Sequence, residues 1–156
     1  MTIQTQAEDF LSHRKIAVVG VSRKQGTGNG IFKALRKRGY TVVPVNPKAK
    51  EVEGATCYPD LKSIPEGVDA AVIVTGPETA EKVMHDCVEA GVSHVWMHYN
   101  ALFGANSSSV SDAATEYGRE QGVDVIAGGC PLMFGEGADL GHRCMRWLLR
   151  VTHKLP

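Results

Sequence analysis

The chain has 156 residues, 43% of them hydrophobic, and balances 17 basic against 17 acidic side chains, which fits one ordinary domain over residues 1–156 and leaves no room for a second. A net charge of zero excludes a global field that would draw the chain to nucleic acid or to a membrane surface. The longest apolar runs, at residues 16–20 and 70–74, fall far short of the roughly 20 residues of a membrane span, and the polar, acid-bearing opening MTIQTQAEDFLSHRK is neither signal nor transit peptide, so a cytoplasmic location is expected.

Ala7, Phe10 and Leu11 lie at helical spacing, and residues 1–13 read as a short N-terminal helix that adorns the fold. Residues 15–21, KIAVVGV, form a β-branched apolar run that ends in the glycine-rich turn QGTGNG, after which Ile31, Leu35 and Tyr40 mark a helix. A second strand, TVVPV at 41–45, is stopped by Asn46, Pro47 and Lys48. Residues 55–58 read as a short edge strand and 59–64 as a turn of helix. The apolar run 70–75 precedes a helix over 78–90 with Val83, Cys87 and Ala90 on its buried face, capped by Gly91. Residues 93–98 return as a strand. A helix over 108–121 directs Val110, Ala113, Ala114 and Tyr117 inward, and 123–127 is the last strand. The segment 104–109, GANSSS, reads as a mobile surface loop. A final amphipathic helix over 138–151 carries Leu140, Cys144, Trp147, Leu148 and Val151 and is expected to close the core with its arginines in water.

Strands apolar on both faces that alternate with helices imply an α/β fold, a doubly wound parallel sheet of Rossmann type. Ligands of such sheets sit beyond the carboxyl ends of the strands where strand order reverses, here between the first strand and the one at 70–75. The residues that follow the strands are therefore the candidates. Gly20, Val21, Ser22, Arg23, Lys24 and Gln25 offer backbone N–H groups, a hydroxyl and two cations beside a helix start, the chemistry of a diphosphate site; the rival reading is a turn that merely packs a helix closely on the sheet. At the end of the second strand, Asn46, Pro47 and Lys48 stand where an NAD site has an acid for the ribose hydroxyls. A lysine suits a phosphorylated ribose, as in coenzyme A or NADP. Thr75, Gly76 and Pro77 offer a flat surface, and Met97, His98 and Tyr99 bring polar groups to the same edge.

Cys57, Cys87, Cys130 and Cys144 include no CxxC pair, and the histidines at 13, 85, 94, 98, 142 and 153 no HExxH, so no metal is expected and the thiols read as free and mostly buried.

The segments KIAVVGVSRKQGTGNG, GYTVVPVNPK, CYPDLKSIP, VDAAVIVTGPE and VIAGGCPLMF together make the chain, over about residues 15–147, similar to the stand-alone coenzyme A-binding proteins that resemble the N-terminal domain of succinyl-coenzyme A synthetase alpha subunits. The resemblance implies that Ser22 to Gln25 hold the diphosphate, that Lys48 contacts the cofactor, that Thr75 to Pro77 lie under the nucleotide and that Met97 to Tyr99 touch the ligand. It also aligns Cys130 with a cysteine before proline. The synthetase's phosphohistidine sits on a further domain, so ligase activity is not an expectation for this chain. No catalytic triad order, carboxylate pair or metal cluster stands out, and no reaction is assigned. The expectation is a binder of coenzyme A or acyl-coenzyme A. The alternatives are a small NADP-dependent oxidoreductase and an accessory subunit of an acyl-coenzyme A ligase complex in which residues 141–150 dock a partner; either a protein partner or a homodimer is compatible with the sequence.

Overall fold

A computed structural model describes residues 1–101 and 108–156. Five strands, β1 (Lys15–Val19), β2 (Thr41–Val45), β5 (Ala70–Ile73), β6 (His94–Met97) and β7 (Asp124–Ala127), pair in the order β2-β1-β5-β6-β7, parallel throughout. Strand order reverses between β1 and β5, as expected from the sequence. The remaining strands, β3 (Glu51–Val52) and β4 (Ala55–Thr56), form a separate antiparallel ribbon beside β2. Residues 55–58 thus join the main sheet only through the parallel bridge of Tyr58 to Val45.

Successive side chains of a strand point to opposite faces, and here both faces are covered. Ile16, Val18, Ala70, Val72, Trp96 and Ile126 pack on one side with helices α1 (Ile3–Ser12) and α2 (Thr27–Lys37), while Ala17, Val19, Ala71, Ile73, Val95 and Met97 pack on the other with α3 (Pro77–Glu89) and α4 (Asp112–Glu120). Two-sided burial is why these strands read as unbroken apolar runs.

The N-terminal helix is no adornment. Ala7, Phe10 and Leu11 are buried, and the Phe10 ring meets Trp96 edge-on at 5.4 Å. Trp96 in turn donates its indole N–H to the Gly128 carbonyl at 2.8 Å. At the start of the strands, Asp9, His94 and Asp124 bring ligand-type atoms within 4.8 Å of one another, where His94 hydrogen-bonds Asp9 at 2.9 Å and Gln6 donates to Asp124 at 2.8 Å.

Several boundaries differ from the sequence reading. Residues 59–64 form turns, with the Ser63 N–H and hydroxyl both closing on the Asp60 carboxylate at 2.8 Å, an arrangement that competes with helix. Helix α4 starts at Asp112 because Ser111 caps it, accepting from the Ala114 N–H; its buried residues are Ala114, Thr115 and Gly118, and Ala113 faces water. Of the expected loop 104–109, residues 104–107 lie outside the described residues, and Ser109 is buried, its N–H donating to the His98 carbonyl at 2.8 Å.

The largest difference concerns α5 (Leu140–Val151). Leu149 is its one fully buried side chain, whereas Leu140, Trp147, Leu148 and Val151 are exposed and Cys144 with them. The face expected to close the core points outward. Among the described residues no helix is long and apolar enough to cross a membrane.

Candidate ligand-binding site

Three adjoining hollows run along the carboxyl edge of the sheet. The first, about 520 Å³, lies between the end of β2 and α3 and is lined by Gly20, Asn46, Pro47, Lys48 and Thr75, with Leu61, Lys62, Thr79 and Lys82 opposite. The second, about 250 Å³, sits at the switch point between Gly20, Thr27, Gly28, Thr75, Gly76 and Ser109. A third, about 360 Å³ with mostly apolar walls, continues from Thr27 past Gly30 and Ile31 to His98, Cys130 and His142. Gly20 and Thr75 are shared by the first two and Thr27 by the last two, so the hollows adjoin in a row, together termed the groove.

Two glycines permit this geometry. Gly20 has φ +106°, and a Cβ there would meet the Val74 carbonyl oxygen at 2.7 Å; a Cβ on Gly28 would meet the Gly20 carbonyl oxygen at 2.6 Å. The start of α2 therefore packs directly on the end of β1, as the structural reading of the glycine-rich turn holds. The same packing puts the first residues of α2, Thr27 and Gly28, in the wall of the switch-point hollow, where the N-cap of α3, Gly76, also lies. Helix starts carry unsatisfied donors and partial positive charge.

Asn29, 1% exposed, sets the loop that follows β1. Its side-chain oxygen accepts from the Ser22 N–H at 3.0 Å, and its amide nitrogen donates to the Ser22 carbonyl at 2.9 Å and to Glu53 at 2.8 Å. The Asn29 hydrogen bond holds the Glu53 carboxyl below its ordinary value of 4.5, with Lys33 and Gln25 adding to the effect. Asn46 ties the neighbouring turn in the same way, donating to the Val21 carbonyl at 2.7 Å and accepting from the Lys48 N–H at 2.8 Å.

The residues singled out from sequence are distributed unevenly. Gly20, Asn46, Pro47, Lys48, Thr75, Gly76 and His98 line the groove. Val21 and Met97 are fully buried. Ser22 is held by Asn29, and its hydroxyl accepts from the Lys24 N–H at 3.1 Å; Arg23 and Lys24 are exposed on the loop and line none of the three hollows. Gln25 is turned toward Glu53 and Lys33, Pro77 begins α3, and Tyr99 bridges to Gly129. Sequence reasoning missed the far wall formed by Thr79 and Lys82. Their spacing from Pro77, on the α3 face that includes Val83, was the available signal.

Cations gather at the first hollow. Lys48, Lys62 and Lys82 line it; Lys62 pairs with Glu89, while Lys48 and Lys82 enter no ion pair among the described residues. Asp60 also lines this hollow, its carboxyl lowered chiefly by the Ser63 hydroxyl. At the opposite end burial pushes the Cys130 thiol up to about 11, so it is protonated at neutral pH and a poor nucleophile.

Residues 14–136 match the model of a protein family described as the CoA binding domain. The chain belongs to that coenzyme A-binding family. Among relatives, it is 30% identical over 147 residues to the alpha subunit of an ADP-forming acetate–CoA ligase II of Pyrococcus furiosus, covering 93% of this chain and 25% of the relative. It is 44% identical over 73 residues to an ADP-forming acetate–CoA ligase I of Archaeoglobus fulgidus, covering 46% of this chain and 11% of that one. The chain thus spans a quarter or less of these ligases. A solved hypothetical protein from Pyrococcus horikoshii OT3 superposes with a TM-score of 0.74 at 29% identity, covering 84% of this chain and 87% of its own. The fold of this coenzyme A-binding domain is accordingly the α/β parallel sheet of its structural neighbours.

Proposed function

We propose that the chain is a coenzyme A or acyl-coenzyme A carrier or sensor module, holding the cofactor along the linked groove at the strand switch point. The adjacency of the three hollows carries this reading, because the cofactor is long, phosphorylated at one end and in its middle, and less polar toward its thiol. Lys48, Lys62 and Lys82 suit the phosphorylated ribose. Gly20, Thr27, Gly28 and Gly76, with two helix starts and the small side chains of Thr75 and Ser109, suit the diphosphate; Arg23 and Lys24, exposed on the loop after β1, add long-range attraction and complete a phosphate-binding loop. The mostly apolar hollow past Ile31 toward Cys130 suits the pantetheine arm. Bound coenzyme A would supply a thiol that carries acyl groups as thioesters.

Binding is the whole of the activity assigned, and protein partners follow from the ligase relatives, in which such a domain is part of a longer chain. Isothermal calorimetry with coenzyme A, acetyl-coenzyme A and NADPH tests the reading. Saturable one-to-one uptake of the coenzyme A compounds, with NADPH much weaker, is the expected result. Uptake of NADPH in preference, or of none of the three, overturns it.

A further inference from the structure

Helix α5 is apolar on two opposite sides. At 3.6 residues per turn, Met145 and Leu149 point to the core, and Leu149 is 1% exposed. Half a turn away Leu140, Cys144, Trp147, Leu148 and Val151 form one outward stripe, with Leu140 74% and Trp147 66% exposed. Large apolar side chains gathered in one exposed stripe mark an interaction surface. Apart from Met1, its residues Leu140, Trp147, Leu148 and Val151 are all the exposed large hydrophobics among the described residues.

The charge around the stripe is one-sided. Arg143 and Arg150 are exposed along a single edge of α5, while Arg146 turns back to lie over the Phe134 ring at 5.4 Å. No acid occurs in residues 140–156, and the nearest, Asp139, is occupied as the N-cap and by His142. An antiparallel pairing of two copies about a two-fold axis would place the arginine edges side by side with no carboxylate from either helix to balance them. Beyond Leu148 the other edge of the stripe is Gly141 and carries no cation, so the cationic attraction that supports a helix lying in a membrane surface would come from one edge alone.

We propose that the outward face of α5 docks a partner protein through an amphipathic helix with a leucine-type apolar stripe and carboxylates along one edge. The proposal is independent of coenzyme A binding, since none of the stripe residues lines the groove.

The two tryptophans make the test direct, because Trp96 is buried and Trp147 exposed. An 18-residue synthetic peptide with leucine at heptad a and d positions and glutamate on the flanks is titrated into the intact chain. Trp147 emission should shift to the blue and lose acrylamide quenching, saturably and less so at high salt. The same peptide with lysine for glutamate should bind at least tenfold more weakly, and the Arg143→Glu/Arg150→Glu double variant should reverse that preference. Circular dichroism and the thermal unfolding of the double variant, measured in parallel, report that it is folded. Equal response to both peptides, no response to either, a Trp147 shift caused by phosphatidylserine vesicles and not by the acidic peptide, or a chain that sediments as a dimer with Trp147 already shielded would each overturn the proposal.

Discussion

The Asn29 side chain grips Ser22 by both its N–H and its carbonyl, at 3.0 and 2.9 Å. A loop with little apolar anchorage is thereby fixed from the first turn of the helix it leads into. Replacing Asn29 with Ala leaves the Ser22 backbone groups and Glu53 without these partners, at a cost of about 1–3 kcal/mol, and should weaken coenzyme A binding through a looser loop. Asn29→Asp should be worse near neutral pH, since it sets a carboxylate oxygen against both the Ser22 carbonyl and Glu53, and should recover as pH falls. Urea denaturation at two pH values distinguishes the two variants.

Glu53 makes a matching prediction in pH. Its carboxyl is lowered in the fold, so the unfolded chain binds the proton more readily, and the stabilisation is fully present above about 4.5, the ordinary value. It disappears as pH drops through the lower folded value. Asp60, Glu89 and Asp139 are lowered as well and act in the same direction. Stability should therefore fall on acidification, and Glu53→Gln should flatten the acid limb. Thermal unfolding between pH 3 and 7 measures the difference.

Much of this was legible beforehand, and the reason differs from element to element. The strands were readable to within a few residues because two-sided burial demands continuous apolar runs, and Gly20 and Lys48 followed from the rule that ligands sit at strand ends. The outward face of α5 was not. Periodicity tells which of Leu140, Cys144, Trp147 and Val151 share a side, but not whether that side meets the core; here Leu149 does, on the opposite side. Strand-end position alone does not reveal which way the pleat turns, so the burial of the Met97 and Val21 side chains was not legible. The brace from Asn29 to Glu53 joins residues 24 apart through a ribbon turn, and no local pattern announces it.

Glycines at the groove should tolerate change very unequally. Gly28→Ala drives a methyl group into the Gly20 carbonyl and should destabilise by about 1–3 kcal/mol. Gly30→Ala meets nothing within 4 Å and should raise stability by roughly 0.5–1 kcal/mol through helix propensity. Because Gly30 lines the hollow near Cys130, the stabler variant should still bind coenzyme A more weakly. Melting temperatures alongside calorimetry check both halves.

Lys48 should read the ribose phosphate. Lys48→Glu is expected to weaken coenzyme A by roughly tenfold, the scale of one charge-assisted contact, and to change binding of the 3′-dephosphorylated form much less. Equal losses for both ligands would remove that role from Lys48.

The thiols should separate cleanly. Cys87 and Cys130 are buried and pushed up to about 12 and about 11, Cys57 is buried and also raised, and Cys144 is exposed. At pH 7.5 iodoacetamide should modify one site quickly, and Cys144→Ser should abolish that fast phase; mass spectrometry of the alkylated peptides decides it.

The packing of α2 on Gly20 and the arrival of α3 at the same hollow have a consequence for selectivity. Backbone dipoles cannot be protonated, acetylated or mutated away, so the attraction they exert is permanent and confined to one cleft. A chain whose acids and bases cancel over the whole sequence can in this way still attract a polyanion at one point of its surface.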